Sequence, residues 1–196
     1  MPDELNEVAK DVSNCSKCQL CNGRNKTVPG SGHPKARILF IGEGPGKDED
    51  LQGKPFVGAA GKLLTKLLDS IGLSRDDVFI TNVVKCRPPD NRDPFQEEVD
   101  ACYSFLSRQL KAIKPLLIVT LGRHSMARFL PDVKISEVHG QPKVHKGVWQ
   151  KLQVYLPLYH PAFALYDPRN RTILEEDFKK IPLILKKLEQ QQQNGS

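Results

Sequence analysis

Four short apolar runs alternate along the chain with longer segments in which apolar residues recur every three or four positions. The runs are residues 37–42, 78–84, 116–120 and 152–158. Short apolar runs predict buried strands, and the three-to-four spacing predicts amphipathic helices. Because strand and helix alternate, we predict a three-layer α/β/α sandwich around a central, four-stranded and mainly parallel sheet.

Helices are predicted around these strands, over residues 1–14, 58–70, 93–114, 122–130 and 170–188. In the third helix, Asp93 is the expected N-cap and Pro94 the first helical residue. The last helix is expected to kink at Pro182, which lacks a backbone N–H. We predict one domain over residues 1–189, followed by a disordered, glutamine-rich tail over residues 190–196.

Length and charge limit the class of protein. The chain has 196 residues, enough for one α/β domain and short for two. Lysine and arginine number 29 against 23 aspartates and glutamates, and the net charge of +6 gives weak support to a polyanionic partner. No apolar run approaches a membrane span, and the acidic N-terminus is unlike a signal peptide. We therefore expect a cytosolic protein without a membrane partner, and a monomer.

The first predicted strand leads into a glycine-rich turn, residues 42–46, with the sequence GEGPG. Glycines such as Gly42 and Gly44 let the backbone turn sharply and approach a ligand closely. Lys47 stands where the dinucleotide fingerprint G-x-G-x-x-G needs its last glycine, and the P-loop pattern also fails. The carboxylates that follow would repel a polyphosphate, so the turn does not bind nucleotide phosphates.

Polar side chains stand at the ends of three predicted strands. Glu43 follows the first strand, Asn82 lies in the second near its end, and His160 follows the fourth. Ligands of parallel α/β sheets bind at the carboxyl ends of the strands. We therefore expect these three side chains to face one crevice, although each alone is also explained by an ordinary turn or solvated surface.

Five cysteines lie in two groups, with Cys15, Cys18 and Cys21 near the N-terminus and Cys86 and Cys102 much later. A chain expected in the cytosol is a poor candidate for disulfides, so the grouping indicates metal or cluster ligation. Four thiolates suit either zinc or a [4Fe–4S] cluster, and the wide, unequal spacing favours iron–sulfur. Cys21 is an alternative ligand to Cys18. Such a site would fasten the polar N-terminal loop to the later segment and is expected to be structural.

Several motifs occur together in one order along the chain. They are GEGPG at 42–46, GKPFVGAAGKLL at 53–64, TNVVKCRPP at 81–89, LG at 121–122 and HPA at 160–162. Together they resemble the family 4 uracil-DNA glycosylases, iron–sulfur enzymes of archaea and some bacteria. The sister family 5 usually has alanine where Gly46 stands. A cross-linking relative carries a KRRIH-like insert that KCRPPDNRDPF does not contain.

The resemblance implies a monofunctional enzyme that hydrolyses the bond between deoxyribose and uracil and leaves an abasic site. It implies that Asn82 reads the uracil edge, His160 donates to uracil O2, and Phe56 stacks on the extruded base. Glu43 would orient the attacking water or stabilise the sugar cation. Glu49 would line the pocket near C5 and help to exclude the methyl group of thymine.

The same resemblance implies a structural [4Fe–4S] cluster on Cys15, Cys18, Cys86 and Cys102, with Cys21 as a free thiol and no catalytic metal. Uracil-containing DNA is the implied partner, and a sliding clamp is a further candidate. Residues 162–166, with Leu165, occupy the position of the family's wedge into the DNA stack. The expected DNA-backbone contacts are Lys85, Arg87, Lys143, Lys146, Arg169 and Arg171.

Two other functions are compatible with the same sequence. One is a non-catalytic nucleic-acid-binding module stabilised by iron–sulfur or zinc, and the other is a redox protein. Release of uracil from DNA distinguishes the enzyme from the binding module. A cluster that cycles readily between oxidation states would favour the redox protein.

Overall fold

The computed structural model describes residues 2–194, which form six strands and eight α-helices. The strands are β1 (Ser31–Gly32), β2 (Ile38–Gly42), β3 (Phe79–Asn82), β4 (Leu117–Leu121), β5 (Lys143–Lys146) and β6 (Leu152–Leu158). The helices are α1 (Pro2–Ser13), α2 (Lys47–Gln52), α3 (Ala59–Asp69), α4 (Gln96–Ile113), α5 (Arg123–Ala127), α6 (Ile135–Val138), α7 (Pro168–Lys179) and α8 (Ile181–Asn194).

The strands form one sheet in the order β1-β3-β2-β4-β6-β5. The four inner strands are parallel, and Phe40 of β2 lies opposite Ile80 of β3 and Val119 of β4. The edge strands β1 and β5 run antiparallel to their neighbours. Because the inner strands are parallel, their carboxyl ends lie along one edge of the sheet, where ligands of such folds bind.

The inner strands are buried on both faces, and their alternate residues belong to two separate cores. Ile38 and Phe40 pack on one face with residues of α3, α7 and α8. Leu39 and Ile41 pack on the other face with residues of α1, α4, α5 and α6. This two-residue period is the consequence of strand geometry, in which successive side chains point to opposite faces. It gives the three layers of the α/β/α sandwich.

The predicted fold class is confirmed, and the four predicted strands are the four parallel inner strands. The two edge strands were not predicted. β1 has two residues, and β5 has the mostly polar sequence KVHK, of which three residues are exposed. A strand with so little buried surface leaves no apolar run to recognise.

Three helical predictions need correction. α4 begins at Gln96, with Phe95 as N-cap, because the carboxylate of Glu98 accepts the Phe95 N–H at 2.8 Å. The expected kink is a break between α7 and α8 with Pro182 just after it. α8 continues to Asn194 through residues expected to be disordered, and the last two residues of that predicted tail lie outside the described range. None of the helices in residues 2–194 is long and apolar enough to cross a bilayer.

Candidate active site

A cleft of about 370 Å³ opens at the carboxyl ends of the parallel strands. Its walls come from the turn after β2, the end of β3, the loop before α4, and the segment after β6. The predicted residues that line it are Glu43, Gly44, Glu49, Phe56, Asn82 and His160. The structure therefore brings the three distant strand-end residues of the sequence analysis to one cavity.

The glycine turn joins β2 to the end of β3. The carbonyls of Gly42 and Glu43 accept the N–H groups of Val83 and Val84 at 2.9 and 3.0 Å. A Cβ at Gly42 would overlap Oδ1 of Asn82 and lie 2.6 Å from Cζ of Phe56. Glycine at this position thus allows the Asn82 amide and the Phe56 ring to meet behind the turn.

Asn82 is the last residue of β3 and is 1% exposed. Its Oδ1 atom is buried and has no hydrogen-bond partner in the described part of the protein. A buried acceptor without a partner is costly, and such atoms in native structures require an explanation. Since Asn82 lines the cleft, a ligand donor is the partner that this oxygen can take.

His160 begins the 3-10 turn after β6 and forms part of the cleft wall with Phe56, their ring centroids 5.5 Å apart. Its Nδ1 atom accepts the N–H of Ala162 at 3.2 Å. Desolvation lowers the pKa of His160 to about 4, against a smaller opposing effect of Glu49. The ring is therefore neutral at pH 7, and its proton is on Nε2, where it can be donated to a ligand.

Glu43 is half-buried beside two residues that sequence reasoning did not assign to the site. Its carboxylate lies 3.9 Å from Nε2 of His124, which is 3.0 Å from Asp93. Desolvation raises the pKa of Glu43, Asp93 adds to the rise, and His124 and Arg123 oppose it. His124 follows β4, so the rule on strand ends could have identified it, whereas Asp93 had been interpreted as a helix cap.

The ligand atoms of Glu43, Asp93 and His124 lie within 4.8 Å of one another, so this group is also a candidate cation site. However, Arg123 Nε donates to Nε2 of His124 at 2.8 Å, and Arg123 Nη2 lies 3.3 Å from Asp93. A guanidinium thus already provides the positive charge. The group is a hydrogen-bonded network at the edge of the cleft.

Glu49 lines the cleft, but both of its oxygens bind backbone. Oε1 accepts the N–H groups of Val57 and Gly58 at 2.8 and 2.9 Å, and Oε2 accepts that of Gly46 at 3.1 Å. The carboxylate therefore connects the glycine turn to the loop after Phe56. These contacts indicate that Glu49 stabilises the backbone conformation of the cleft wall.

All five cysteines line one small pocket between α1, α4 and the loop after β3. Cys86 and Cys102 are buried, and the other three are partly buried. Desolvation raises the pKa of Cys102 to about 11, and it also raises the pKa of Cys18 and Cys86. Arg24 Nη1 lies 3.2 Å from the sulfur of Cys86. Soft donors and a cation in one pocket fit a thiolate-bound metal centre, and the pocket does not separate Cys21 from the other four.

Lys85 was predicted to contact DNA, and the structure contradicts this. The side chain is 1% exposed, and Nζ donates to Thr81 Oγ1, the Asn82 carbonyl and Gln109 Oε1 at 2.6, 2.7 and 2.8 Å. Burial lowers the pKa of Lys85 to about 8. Lys85 also lines the cysteine pocket. It is an internal cation between that pocket and the end of β3.

Two of the other predicted DNA contacts, Lys143 and Lys146, lie on the edge strand β5, away from the cleft. Lys143 and Lys146 pair with Tyr155 and Leu152 of β6. At about 3.3 Å per residue, Lys143 is some 17 Å and Lys146 some 26 Å along the strand from His160. Lys146 therefore lies at the far end of the sheet, and the geometry does not support it as a contact at the cleft.

Arg87 and Arg169 lie nearer the cleft. Arg87 Nε donates to Asn91, which lines the cleft, at 2.8 Å. Arg169 is in the first turn of α7, with 89% of its side chain exposed.

In the predicted wedge segment, Leu165 packs partly against the core. Phe163 and Tyr166 are the exposed large apolar residues there, 43% and 93% exposed. The fold therefore favours these two aromatic residues over Leu165 as the side chains that reach a ligand.

Comparison with known proteins agrees with this geometry. The model of the uracil DNA glycosylase superfamily matches residues 29–186. A type-4 uracil-DNA glycosylase of Sulfurisphaera tokodaii is 52% identical over 185 residues, which are 91% of this chain and 84% of the relative. One from Archaeoglobus fulgidus is 50% identical over 186 residues, 91% and 92% of the two chains. A type-5 uracil-DNA glycosylase of Pyrobaculum aerophilum is 34% identical over 155 residues, 70% and 66% of the two chains. The chain belongs to the type-4 uracil-DNA glycosylases.

Proposed function

We propose that this protein is a DNA-repair enzyme that hydrolyses the N-glycosidic bond of deoxyuridine in DNA and leaves an abasic site. Family membership supports the activity. The observation that carries the assignment of its site is the buried, unpartnered Oδ1 of Asn82, which lines a cleft shared with Glu43 and His160. An extruded pyrimidine, held away from its duplex partner, would occupy this cleft.

Asn82 reads the edge of the base. Its Oδ1 accepts from N3–H of uracil, and its amide nitrogen donates to O4. Cytosine presents the opposite pattern, an acceptor at N3 and a donor at C4, so it would leave two buried polar groups unpaired. The Phe56 ring packs against the face of the base, and such stacking requires a planar ring but does not distinguish one base from another.

His160 and Glu43 act on the two charges that develop as the bond breaks. The electron pair of the bond leaves with uracil and concentrates negative charge at O2, to which Nε2–H of the neutral His160 donates. The sugar becomes an oxocarbenium-like cation beside the carboxylate of Glu43. Glu43 orients the water whose oxygen bonds to C1′ and accepts its proton.

DNA is held around the cleft by exposed groups on the segment after His160 and on α7. Arg169 and Arg87 would contact phosphates, and either Phe163 or Tyr166 would fill the space that the extruded base leaves. The aromatic rings of Tyr159 and Phe163 stack at 4.4 Å, which gives the segment a rigid base. Lys143 would reach only DNA that extends along the sheet.

The cysteine pocket would hold a [4Fe–4S] cluster through Cys15, Cys18, Cys86 and Cys102. Thiolates are the usual ligands of such clusters, and the same pocket contains the Arg24 guanidinium near the sulfur of Cys86. Held by these cysteines, a cluster would connect the N-terminal loop to the loop after β3 and to α4, which would be a structural role.

Single-turnover release of uracil from a uracil-containing duplex tests the site. We expect Asn82→Ala and His160→Ala to lose about 100-fold or more in rate while DNA binding persists. Asn6→Ala and His145→Ala, which change exposed residues, are the matched controls. A wild-type protein that releases no uracil would favour the binding module, and variants that stay near the full rate would reject the site.

Iron content and the visible spectrum test the cluster. We expect a broad absorbance shoulder at roughly 400 nm from thiolate-to-iron charge transfer. Cys86→Ser should abolish it, and Cys21→Ser should leave it. Loss of the shoulder in Cys21→Ser but not in Cys18→Ser would reverse the assignment of these two residues.

A further inference from the structure

Phe56, the ring proposed to stack on uracil, has a backbone conformation that its residue type rarely adopts. Its φ is 53°, in the left-handed region, where a side chain is unfavourable. A Cβ at Gly61 would overlap the Phe56 carbonyl, so the start of α3 packs directly on this peptide. Surrounding contacts must therefore hold the loop in this shape.

Arg75 is partly buried and contacts this loop from outside the cleft. Its Nη1 donates to the Phe56 carbonyl at 3.1 Å, and its Nη2 donates to the Pro55 carbonyl at 2.7 Å. The two amino groups of one guanidinium thus bind two consecutive carbonyls. A planar group with fixed donors is suited to such bidentate binding, and lysine is not.

Glu49 completes the arrangement from the other side. Its Oε1 accepts the N–H groups of Val57 and Gly58, the two residues after Phe56. The peptide group between Phe56 and Val57 is therefore bound at its carbonyl by a cation and at its N–H by an anion. The position of the ring depends on both.

We propose that Arg75 is a positioning residue for uracil binding, which fixes the Phe56 ring at the height where a flipped pyrimidine stacks on it. The inference rests on the proposed function of the cleft. Arg75 does not line the cleft and has no chemical step of its own in this proposal. Its effect on the reaction passes through the backbone of Pro55 and Phe56.

The test is a double-mutant cycle of Arg75→Met and Phe56→Leu, with kcat/KM for uracil release and the inhibition constant of free uracil as readouts. We expect Arg75→Met to lower kcat/KM by about 10- to 100-fold and to weaken inhibition by uracil, because the ring is displaced by a fraction of an ångström. In the Phe56→Leu background the same substitution should change little, since the ring it positions is gone. Arg75→Lys should recover only part of the loss.

Arg37→Met is the matched control, because Arg37 precedes β2 at the opposite end of the sheet and pairs with Glu189. Amide hydrogen exchange at Val57 and Gly58 gives a readout that is independent of activity. Exchange should be faster in both Arg75→Met and Arg75→Lys than in the wild type. If Arg75→Met does not fold, the comparison is made with Arg75→Lys alone. Unchanged exchange, or an equal loss of kcat/KM in both Phe56 backgrounds, overturns the proposal. Wild-type protein without uracil release would instead refute the proposed function.

Discussion

The substitution Gly42→Ala adds one methyl group at the cleft and tests the geometry proposed for it. A Cβ there would overlap Oδ1 of Asn82 and lie 2.6 and 2.8 Å from two ring carbons of Phe56. Ordinary contacts begin at 3.4 Å, so the ring must retreat by about 0.8 Å, the difference between 3.4 and 2.6 Å. Both neighbours are buried, Asn82 at 1% and Phe56 at 6% exposure, and neither can move into solvent without cost.

The expected effect of Gly42→Ala on stability is moderate, and its effect on activity is large. Overpacking costs about 1–3 kcal/mol. Alanine also lowers the conformational entropy of the unfolded chain, which offsets about 0.4–1 kcal/mol of this cost. A displacement close to 1 Å of a group that positions the substrate costs on the order of 100-fold in rate. The free energy of unfolding should therefore fall by no more than about 3 kcal/mol while uracil release falls about 100-fold.

Single-turnover release of uracil and denaturant unfolding measure the two quantities on the same preparation. Gly23→Ala is the control, because a Cβ at Gly23 meets no atom within 4 Å. Gly42→Ala with a rate within threefold of wild type would show that Asn82 and Phe56 do not act together on one base, and the assignment of the cleft would fail.

Two further predictions concern charge. Lys85→Met leaves three buried acceptors without their donor and should lower the free energy of unfolding by about 1–3 kcal/mol in a denaturant titration, whereas the exposed Lys66→Met should not. An unchanged stability with a weaker salt dependence of DNA binding would instead restore Lys85 as a phosphate contact. Burial raises the pKa of Glu43, and the proposed mechanism requires its carboxylate, so kcat/KM should fall as pH decreases through a midpoint above that of an ordinary glutamate. His160, with a pKa of about 4, is still mostly neutral at about pH 5 and adds little to this loss above that pH. The same acidic limb in Glu43→Gln would contradict this.

The core of the sheet and the convergence of Glu43, Asn82 and His160 could be predicted because both follow from rules of period and direction. Buried parallel strands appear as continuous apolar runs, and their carboxyl ends must share one edge. Once the apolar runs are assigned to strands, the polar residues that follow them must lie at the carboxyl edge of the sheet. The same rule would also have identified His124 at the end of β4.

Other features could not be predicted because they depend on contacts with backbone atoms, which leave no pattern in the sequence. Arg75 and Glu49 bind carbonyl and N–H groups of the loop around Phe56, and any sequence provides such groups. Lys85 stands in a basic segment and was therefore expected at the surface. Only the fold shows that Thr81 and Gln109 surround it.

Lys85 lies between the cleft, which Asn82 lines, and the cysteine pocket. Its ammonium group donates to the backbone carbonyl of Asn82 at 2.7 Å, and the side chain also lines the cysteine pocket. In the described part of the chain it forms no salt bridge, so thiolates holding a cluster would be its nearest source of opposite charge. Without those thiolates, Lys85 would remain a buried cation whose described contacts are the hydroxyl, carbonyl and amide oxygens of Thr81, Asn82 and Gln109.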